Sequence, residues 1–213
     1  MSRRAASRRA PGVPRGKSAD FPACPLPVTP AQPGLVSVAK SLSAAEIHTA
    51  LDRLCQAIAA RHSSDSKLVL LGIANGGITL VRRLGARLRL KYVGTLDISF
   101  HRDDIGRNPI PKEFSPTVIP TDVNGAVVIL VDDVLFSGRT VKAALDELFD
   151  HGRPARVELA VLIDRGGHRL PIKADYVGVT LEAGEHEKVV VSLDAAHPAN
   201  DTVRVLPAKP ASR

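Results

Sequence analysis

Three short and almost continuous apolar runs constrain the fold more than any other feature of the sequence. They cover residues 67–73, 126–131 and 156–163. Runs of this length without polar alternation are typical of strands that are buried on both faces of a sheet. Helical patterns follow the first two runs, at 78–90 and 138–149. Since strands that alternate with helices favour parallel pairing, we predict an α/β fold with a mostly parallel central sheet flanked by helices.

A helix-capping pattern precedes the first of these runs. Ser43 and Glu46 are spaced so that each side chain can bind a free backbone amide of the first helical turn. Apolar residues then recur at helical spacing up to Ile58. The pattern therefore predicts an amphipathic helix before the first strand of the sheet.

The C-terminal third is predicted to contain short strands, at 174–179, 188–193 and 202–206. Because no helical pattern separates them, we expect a small C-terminal antiparallel hood. Another strand is predicted at 92–100. The polar, proline-bearing loop 102–116 that follows has a length typical of functional loops.

Basic residues are concentrated at the N-terminus. Residues 1–17 contain six Arg and Lys and no acid, and residues 22–33 contain five prolines. Such a segment buries too little apolar surface to offset the entropy of ordering. We predict a disordered, basic, proline-rich tail over 1–34, a single domain over 35–206 and a short tail over 207–213. Beyond residue 17, 23 Lys and Arg face 22 Asp and Glu, so the net charge of +7 gives weak support for a nucleic-acid-binding domain surface.

Targeting and redox signals in the sequence are weak. The apolar runs are far shorter than the about 18 residues of a membrane-spanning helix. The N-terminal arginines are not followed by the apolar core of a secretory signal. The two cysteines, Cys24 and Cys55, are too few for a disulfide scaffold. We expect a cytoplasmic protein with reduced thiols and no membrane partner.

The residues that indicate chemistry are concentrated in the segment 128–140, VILVDDVLFSGRT. A buried strand leads into Asp132 and Asp133, and Ser137, Gly138 and Thr140 open the next helix. Ligands of open α/β sheets bind at the carboxyl ends of the strands, and a helix N-terminus favours a phosphate. Two adjacent acids at that edge can accept hydrogen bonds from vicinal hydroxyls or contact a divalent cation. The pattern therefore fits a ribose 5-phosphate.

Other strand–turn–helix sites also carry an Asp-Asp pair. Nucleotide hydrolases, response regulators and haloacid dehalogenases are examples, and a plain crossover with solvated acids is the simplest alternative. The sequence contains no G-x-x-x-x-G-K-[ST] loop, which a hydrolase of the first kind needs. The acids also lie in the middle of the chain, away from the first strand.

The complete segment 128–140 resembles the PRPP-binding signature of type I phosphoribosyltransferases. Phe136 is an aromatic residue where most members have a small one, as in the subfamily of pyrimidine-operon regulators with uracil phosphoribosyltransferase activity, the PyrR family. The segments 93–104, 152–155, 160–172 and 175–178 are similar to that subfamily as well. The resemblance covers 35–206 and implies a type I phosphoribosyltransferase fold.

The resemblance also implies roles for residues at the matching positions. In the implied catalytic set, Asp132 and Asp133 hold the ribose hydroxyls and Arg102 approaches pyrophosphate from the long loop. The other implied contacts are Ser137, Gly138, Arg139 and Thr140 for the 5-phosphate, Ala74, Asn75, Gly76 and Gly77 for pyrophosphate, and Asp164, Arg165, Tyr176 and Val177 near the base and pyrophosphate.

Two positions depart from the subfamily pattern. Asn75-Gly76 stands where many members have Thr-Arg, so the arginine that would contact pyrophosphate is replaced by glycine. Backbone amides can still bind an anion at such a loop. His101 replaces the usual tyrosine before Arg102.

The resemblance implies the reaction of uracil with PRPP to give UMP and pyrophosphate. Magnesium is the implied cofactor, since it neutralises the substrate phosphates while keeping its waters. It would be bound through the substrate, with contacts to Asp132 and Asp133 but without a complete protein ligand set. The implied partners are PRPP, uracil, UMP and UTP, and a homodimer or larger homo-oligomer.

The alternative hypothesis is an RNA-binding attenuator of the pyrimidine operon with weak or no catalytic activity. The resemblance implies that leader RNA and uridine nucleotides would then be its ligands. Candidate RNA contacts form a basic cluster on and after the second helix: Arg82, Arg83, Arg87, Arg89 and Lys91. A solvated helix face explains this cluster equally well. A third hypothesis is transfer to another base, such as a purine, in the same fold.

Overall fold

The computed structural model describes residues 41–63, 67–99, 101 and 116–208. The predicted tail 1–34, the loop 102–115 and residues 209–213 lie outside the described residues. In chain order the elements are β1 Ser41–Leu42, α1 Ala44–Arg61, β2 Leu68–Ile73, α2 Gly77–Leu88, β3 Tyr92–Leu96, β4 Val127–Leu135, α3 Arg139–Asp150, β5 Arg156–Asp164, β6 Tyr176–Thr180, β7 Glu187–Ser192, the 3-10 helix Pro198–Asn200 and β8 Thr202–Pro207.

The apolar runs form β2, β4 and β5 at the centre of a five-stranded parallel sheet. The strand order is β3-β2-β4-β5-β6, and all neighbouring pairs are parallel. Every residue of β2 is buried, because successive side chains pack into opposite cores. Leu68 and Leu70 face the core that includes α1 and α2, whereas Val69 and Leu71 face the core that includes α3. The predicted sheet with helices on both faces is confirmed.

The predicted capping box is present at the start of α1. The Glu46 amide donates to Oγ of Ser43, and the Ser43 amide donates to Oε2 of Glu46 at 2.8 Å. Ile47, Leu51 and Ile58 of this helix are completely buried. The cap satisfies free amides at the N-terminus while the apolar stripe fixes the helix on the sheet.

A separate three-stranded antiparallel sheet forms the hood, with the order β1-β8-β7. The prediction that all three C-terminal strands belong to it was wrong in one respect, because β6 is the fifth strand of the parallel sheet. The connection from β5 to β6 covers 165–175, which is long enough for a parallel crossover without a helix. The third hood strand is β1, from the N-terminal side of the domain. No helix within the described ranges is long and apolar enough to span a membrane.

A buried polar cluster lies toward the amino end of β5. His62 is buried, and its Nε2 lies 2.7 Å from Oε2 of Glu158. The Tyr176 hydroxyl donates to the same Glu158 oxygen at 2.6 Å. Burial acts in the opposite direction, but the hydrogen bonds from Tyr176 and His62 keep the pKa of Glu158 below its usual value. Arg61 adds an ion pair at 3.2 Å, so the carboxylate is held from several sides.

We predict that Tyr176→Phe lowers thermal stability, because it removes a donor from a buried carboxylate. The expected cost is about 1–2 kcal/mol, which corresponds to a fall of about 3–6 °C in Tm for a domain of this size. Calorimetry of Tyr176→Phe and of Tyr92→Phe, the same change in the chain's other tyrosine at half-buried β3, measures the difference. Equal Tm values for the two variants would contradict a stabilising role of the cluster.

Candidate active site

The carboxyl edge of the parallel sheet brings the two acids next to the turn after β2. Gly72 pairs with Val131, so β2 ends at Ile73, beside the position of Asp132. β4 continues past this point to Leu135, because it remains paired with β5 up to Asp164. The acids therefore lie inside the strand, whereas the sequence pattern had placed the end of the strand before them.

Burial dominates the electrostatics of the acid pair. Asp132 is 4% exposed, and its Oδ1 accepts a hydrogen bond from the Asp133 amide at 3.0 Å. Burial and then the charge of Asp133 raise the pKa of Asp132 well above the usual value. Burial also raises the pKa of Asp133, against the effect of hydrogen bonds and of the Lys188 charge. Ionising the two carboxyl groups costs free energy in this buried position. Hydrogen-bond donors or a cation that bind to the pair would offset that cost.

The predicted pyrophosphate loop packs against the second acid. A Cβ atom on Gly76 would lie 2.5 Å from Oδ1 of Asp133, and one on Gly77 would lie 2.1 Å from the carbonyl oxygen of Val131. Close approach of the loop backbone to β4 thus requires glycine at Gly77, whereas a side chain at Gly76 would have to displace the Asp133 carboxylate. The Ala74–Asn75 peptide bond is cis, and the Ala74 amide donates to the Leu96 carbonyl at 2.9 Å. The structure therefore brings Gly76 of the predicted loop against Asp133 and ties Ala74 to the end of β3.

The turn between β4 and α3 has the form expected of a phosphate-binding turn. Gly138 precedes the helix at φ 87°, a left-handed conformation that favours glycine, and it has no side chain to cap the first turn. The Ser137 carbonyl accepts hydrogen bonds from the amides of Arg169 and Leu170, each at 3.1 Å. Arg139 and Thr140 follow at exposed positions. The hydrogen bonds to Ser137 thus fix the turn, while the first residues of α3 are exposed to solvent. An exposed helix N-terminus can bind an anion.

Asp164 and Arg165 lie at the carboxyl end of β5, but their side chains are occupied. Asp164 Oδ1 accepts from the Gly166 amide at 3.0 Å and lies 2.9 Å from Nε2 of His168. The Arg165 guanidinium donates to backbone carbonyls of the hood, the nearest being Glu187 at 2.8 Å. Burial lowers the pKa of Arg165. Asp164 therefore shapes the turn, and Arg165 connects the sheet to the hood.

The register places Val177 in the same row across the sheet as Asp132, because Val177 pairs with Val161 and Val161 pairs with Asp132. Tyr176 pairs with Ala160, one residue nearer the amino end, and its side chain belongs to the buried cluster with Glu158. The carboxyl end of β6 is Thr180, paired with Asp164. The Tyr176 side chain is therefore bound in the cluster, and the place of both residues near the base stays a prediction.

Lys188 is a candidate that the sequence motifs did not single out. It is an exposed residue of β7, and its charge acts on Asp133 from the hood. The signal in the sequence was only one lysine in a strand pattern, since its effect on Asp133 depends on tertiary packing. Arg102 lies outside the described residues. His101, just before it, lies 3.1 Å from Oε2 of Glu147 on α3.

The basic cluster proposed for RNA is divided by the structure. Arg83 is mostly buried and forms an ion pair with Asp201 of the hood, and Arg87 pairs with Asp52 at 3.3 Å. The expectation that Arg83 contributes to an exposed RNA surface was wrong, because its guanidinium is bound to Asp201. Arg82, Arg89 and Lys91 remain at exposed positions, and Arg87 is exposed but paired with Asp52.

Comparison with known proteins identifies the class of protein to which this chain belongs. The family model for the phosphoribosyl transferase domain matches residues 43–196. Solved structures share the fold, among them a hypoxanthine-guanine phosphoribosyltransferase from Bacillus anthracis, with a TM-score of 0.57, 20% identity and coverage of 80% of this chain and 100% of that chain. The hypoxanthine phosphoribosyltransferase of Trypanosoma cruzi gives a TM-score of 0.55 at 19% identity, with coverage of 78% of this chain and 95% of that chain. The predicted type I phosphoribosyltransferase fold is confirmed.

Curated relatives identify the family of this chain within the phosphoribosyltransferases. The bifunctional protein PyrR of Streptomyces coelicolor is 48% identical over 177 residues, covering 80% of this chain and 90% of that protein. The protein of the same name from Geobacter sulfurreducens is 42% identical over 167 residues, covering 76% and 94%. The chain therefore belongs to the PyrR family, as the sequence resemblance predicted.

We predict that Asp132→Asn stabilises the ligand-free, magnesium-free protein while abolishing transfer. A carboxyl whose pKa is raised by folding makes stability fall as pH rises above the ordinary aspartate value. The gain should therefore be greatest near about pH 8, at about 1 kcal/mol, and should vanish near about pH 4. Thermal unfolding across this range measures it. Asp122→Asn is the matched control of opposite sign, because hydrogen bonding to the Asn124 amide lowers the pKa of Asp122, and an equal gain there would contradict the assignment.

We also predict that Gly76→Ala lowers kcat/KM for transfer by about tenfold or more, because the added methyl group must displace the Asp133 carboxylate. Its Tm should stay close to that of the wild type, since Gly76 is exposed. Gly77→Ala is the contrasting variant, because its Cβ meets the Val131 carbonyl and should lower Tm itself. Wild-type kinetics of Gly76→Ala would show that the loop and the acid are independent.

Proposed function

We propose that the protein is a uracil phosphoribosyltransferase that converts uracil and PRPP to UMP and pyrophosphate. One observation carries the proposal: in a PyrR-family chain, the acid pair lies between the glycine loop after β2 and the turn before α3. This order matches the order of groups in PRPP, with pyrophosphate at one end, the ribose diol in the middle and the 5-phosphate at the other end.

The roles of the side chains follow from this order. The 5-phosphate would accept hydrogen bonds from the first amides of α3 and from Ser137 and Thr140. Asp133, which is less buried than Asp132, would accept a hydrogen bond from a ribose hydroxyl. Asp132 would take part in the same interaction and would influence whether Asp133 is ionised. The hood contacts this edge through β7, so the acceptor base would lie between the hood and the edge.

The reaction at the anomeric carbon requires stabilisation of the charges that develop in the transition state, rather than a nucleophile supplied by the protein. The N1 atom of uracil forms the new bond to C1 of the ribose, the bond from C1 to the pyrophosphate oxygen breaks, and the N1 proton is lost. Positive charge develops on the ribose beside the acids, and negative charge develops on the leaving group beside the amides of the glycine loop. Arg102 is proposed to assist the leaving group, although it lies outside the described residues.

Magnesium fits the donors at this edge. Two adjacent carboxylates supply the oxygen ligands that Mg²⁺ prefers, and the ion usually takes its remaining ligands from substrate phosphates and water. Within the described ranges, no group of three or more His, Cys, Asp or Glu residues could hold a metal ion. Asp133, assisted by Asp132, would therefore contact an ion that arrives with PRPP and neutralises its phosphates.

A second function is proposed because the curated relatives are named bifunctional PyrR proteins. We propose that the chain also binds leader RNA of a pyrimidine operon, with UMP and UTP as effectors, and that it acts as a homo-oligomer. Arg82, Arg89 and Lys91 are the exposed residues of the basic cluster that could contact RNA phosphates. The transferase site and this helix face are separate surfaces, so the two functions can be tested separately.

We predict that Asp133→Asn lowers the rate of UMP formation by about a hundredfold or more, because a neutral amide cannot balance the developing charge. The assay measures UMP from uracil, PRPP and Mg²⁺, with hypoxanthine as a second acceptor. Asp122→Asn is the matched control, because it makes the same change at an exposed aspartate and should leave the rate unchanged. A gel shift with the leader RNA of the host's pyrimidine operon, with the same variants, should be unaffected.

Each outcome of that experiment decides between the hypotheses. Preference for hypoxanthine would replace uracil by a purine as the acceptor. An inactive wild type that binds the leader RNA would make RNA attenuation the principal function. A wild-type rate in Asp133→Asn would contradict the role given to the acid pair.

A further inference from the structure

Arg165 connects the end of β5 to the beginning of the hood. Its Nη1 donates to the Glu187 carbonyl at 2.8 Å, and its Nη2 donates to the carbonyls of Gly184 at 2.9 Å and Ala183 at 3.3 Å. The residue is 7% exposed. A buried guanidinium that binds three backbone carbonyls of one short segment fixes its position more closely than a surface ion pair does, because its planar fork is rigid.

The plane of the same guanidinium lies over the ring of Phe136, at the start of the phosphate-binding turn. Its Cζ atom is 4.0 Å from the centre of the Phe136 ring, within the range of a favourable cation–π contact. Phe136 directly precedes Ser137, and the Arg165 amide donates to the carbonyl of Leu135 at 3.1 Å. Arg165 is therefore bonded to the turn on one side and to the hood on the other.

The hood strand that begins at Glu187, which Arg165 holds, contacts β4, the strand that carries the acid pair. Glu187 is the first residue of β7, and the next residue, Lys188, is the one whose charge acts on Asp133. A shift of the Glu187 carbonyl would move Lys188 and the whole start of β7. The contact at Arg165 thus sets the distance between the hood and the carboxyl edge.

We propose that Arg165 is a positioning residue that fixes β7 over the phosphate-binding turn through Phe136, so that the acceptor base meets the ribose at the correct distance. The inference rests on the proposed transferase function for its kinetic consequence, but the physical link between turn and hood is independent of it. Both Nη atoms of Arg165 donate to protein carbonyls in this arrangement, so the role assigned to it is to position the hood and not to bind the substrate.

The kinetic test uses Arg165→Lys, which keeps the charge but loses the fork, and Phe136→Leu, which keeps an apolar side chain but loses the ring. Each should lower kcat/KM for uracil by about tenfold, because misplacement of the base by a fraction of an ångström is costly. The affinity for Mg-PRPP, measured by calorimetry without uracil, should stay within about threefold, because the amides of Arg169 and Leu170 still hold the turn. The double variant should be no worse than the single variants, since the two residues act as one unit.

Arg169→Gln is the matched control. Arg169 also lies near the Phe136 ring, but its Cζ is 5.9 Å from the ring centre and its side chain is 57% exposed. Its ion pair with Glu185 at 3.7 Å lies at the surface and should contribute little. Uracil kinetics of this variant should equal those of the wild type. Phe136→Tyr, which keeps the ring, should rescue the loss seen with leucine.

Amide hydrogen exchange tests the physical link without requiring activity. Exchange over residues 183–189 should accelerate about fivefold or more in Arg165→Lys and remain unchanged in Arg169→Gln. If the wild type forms no UMP, the proposed function fails while the exchange result still decides the link. Unchanged exchange, additive effects in the double variant, or equal losses of uracil and PRPP affinity would overturn the proposal.

Discussion

Burial of two adjacent carboxylates at the end of an apolar sheet is the constraint on which the site depends. Asp132 is almost completely buried, and Asp133 lies against the backbone of Gly76. A chain that only had to be stable would not place like charges together in such a position. The arrangement becomes favourable when a ligand supplies hydroxyl donors and positive charge. The glycine loop after β2 contacts that pair, the turn before α3 follows it in the chain, and the charge of Lys188 of the hood acts on Asp133.

Much of the fold could be predicted because its signals are local. Unbroken apolar runs mark strands buried on both faces, and the Ser43–Glu46 box marks a helix start whose hydrogen bonds form within one turn. The segment around Asp132, Asp133 and Gly138 was informative for the same reason. Strand, acids and helix N-terminus are contiguous in the chain, so their order in the sequence reproduces their order in space.

The features that the sequence did not reveal concern residues whose partners are distant in the sequence. His62 is separated by 96 residues from Glu158, and Arg83 by 118 residues from Asp201. An isolated histidine at a helix end, or an arginine within a helix, has no local pattern that distinguishes a buried partner from solvent. The place of β6 was missed similarly, because parallel pairing with β5 uses a crossover without a helix. Lys188 was overlooked because only the packing of the hood brings it to Asp133.

The hood is held at both ends of β7, to the parallel sheet at one end and to α2 at the other, and the two contacts differ in consequence. Arg165 holds the first residue of β7, whereas Arg83 of α2 binds the backbone carbonyl of Asp194, just past its last residue, and the carboxylate of Asp201. Arg83 can be regarded as a purely stabilising contact, since it lies on a helix behind the sheet. Arg165 instead contacts the turn that carries the proposed phosphate site. Of these two arginines, therefore, Arg165 is the one through which the position of the hood is coupled to the geometry around the acids.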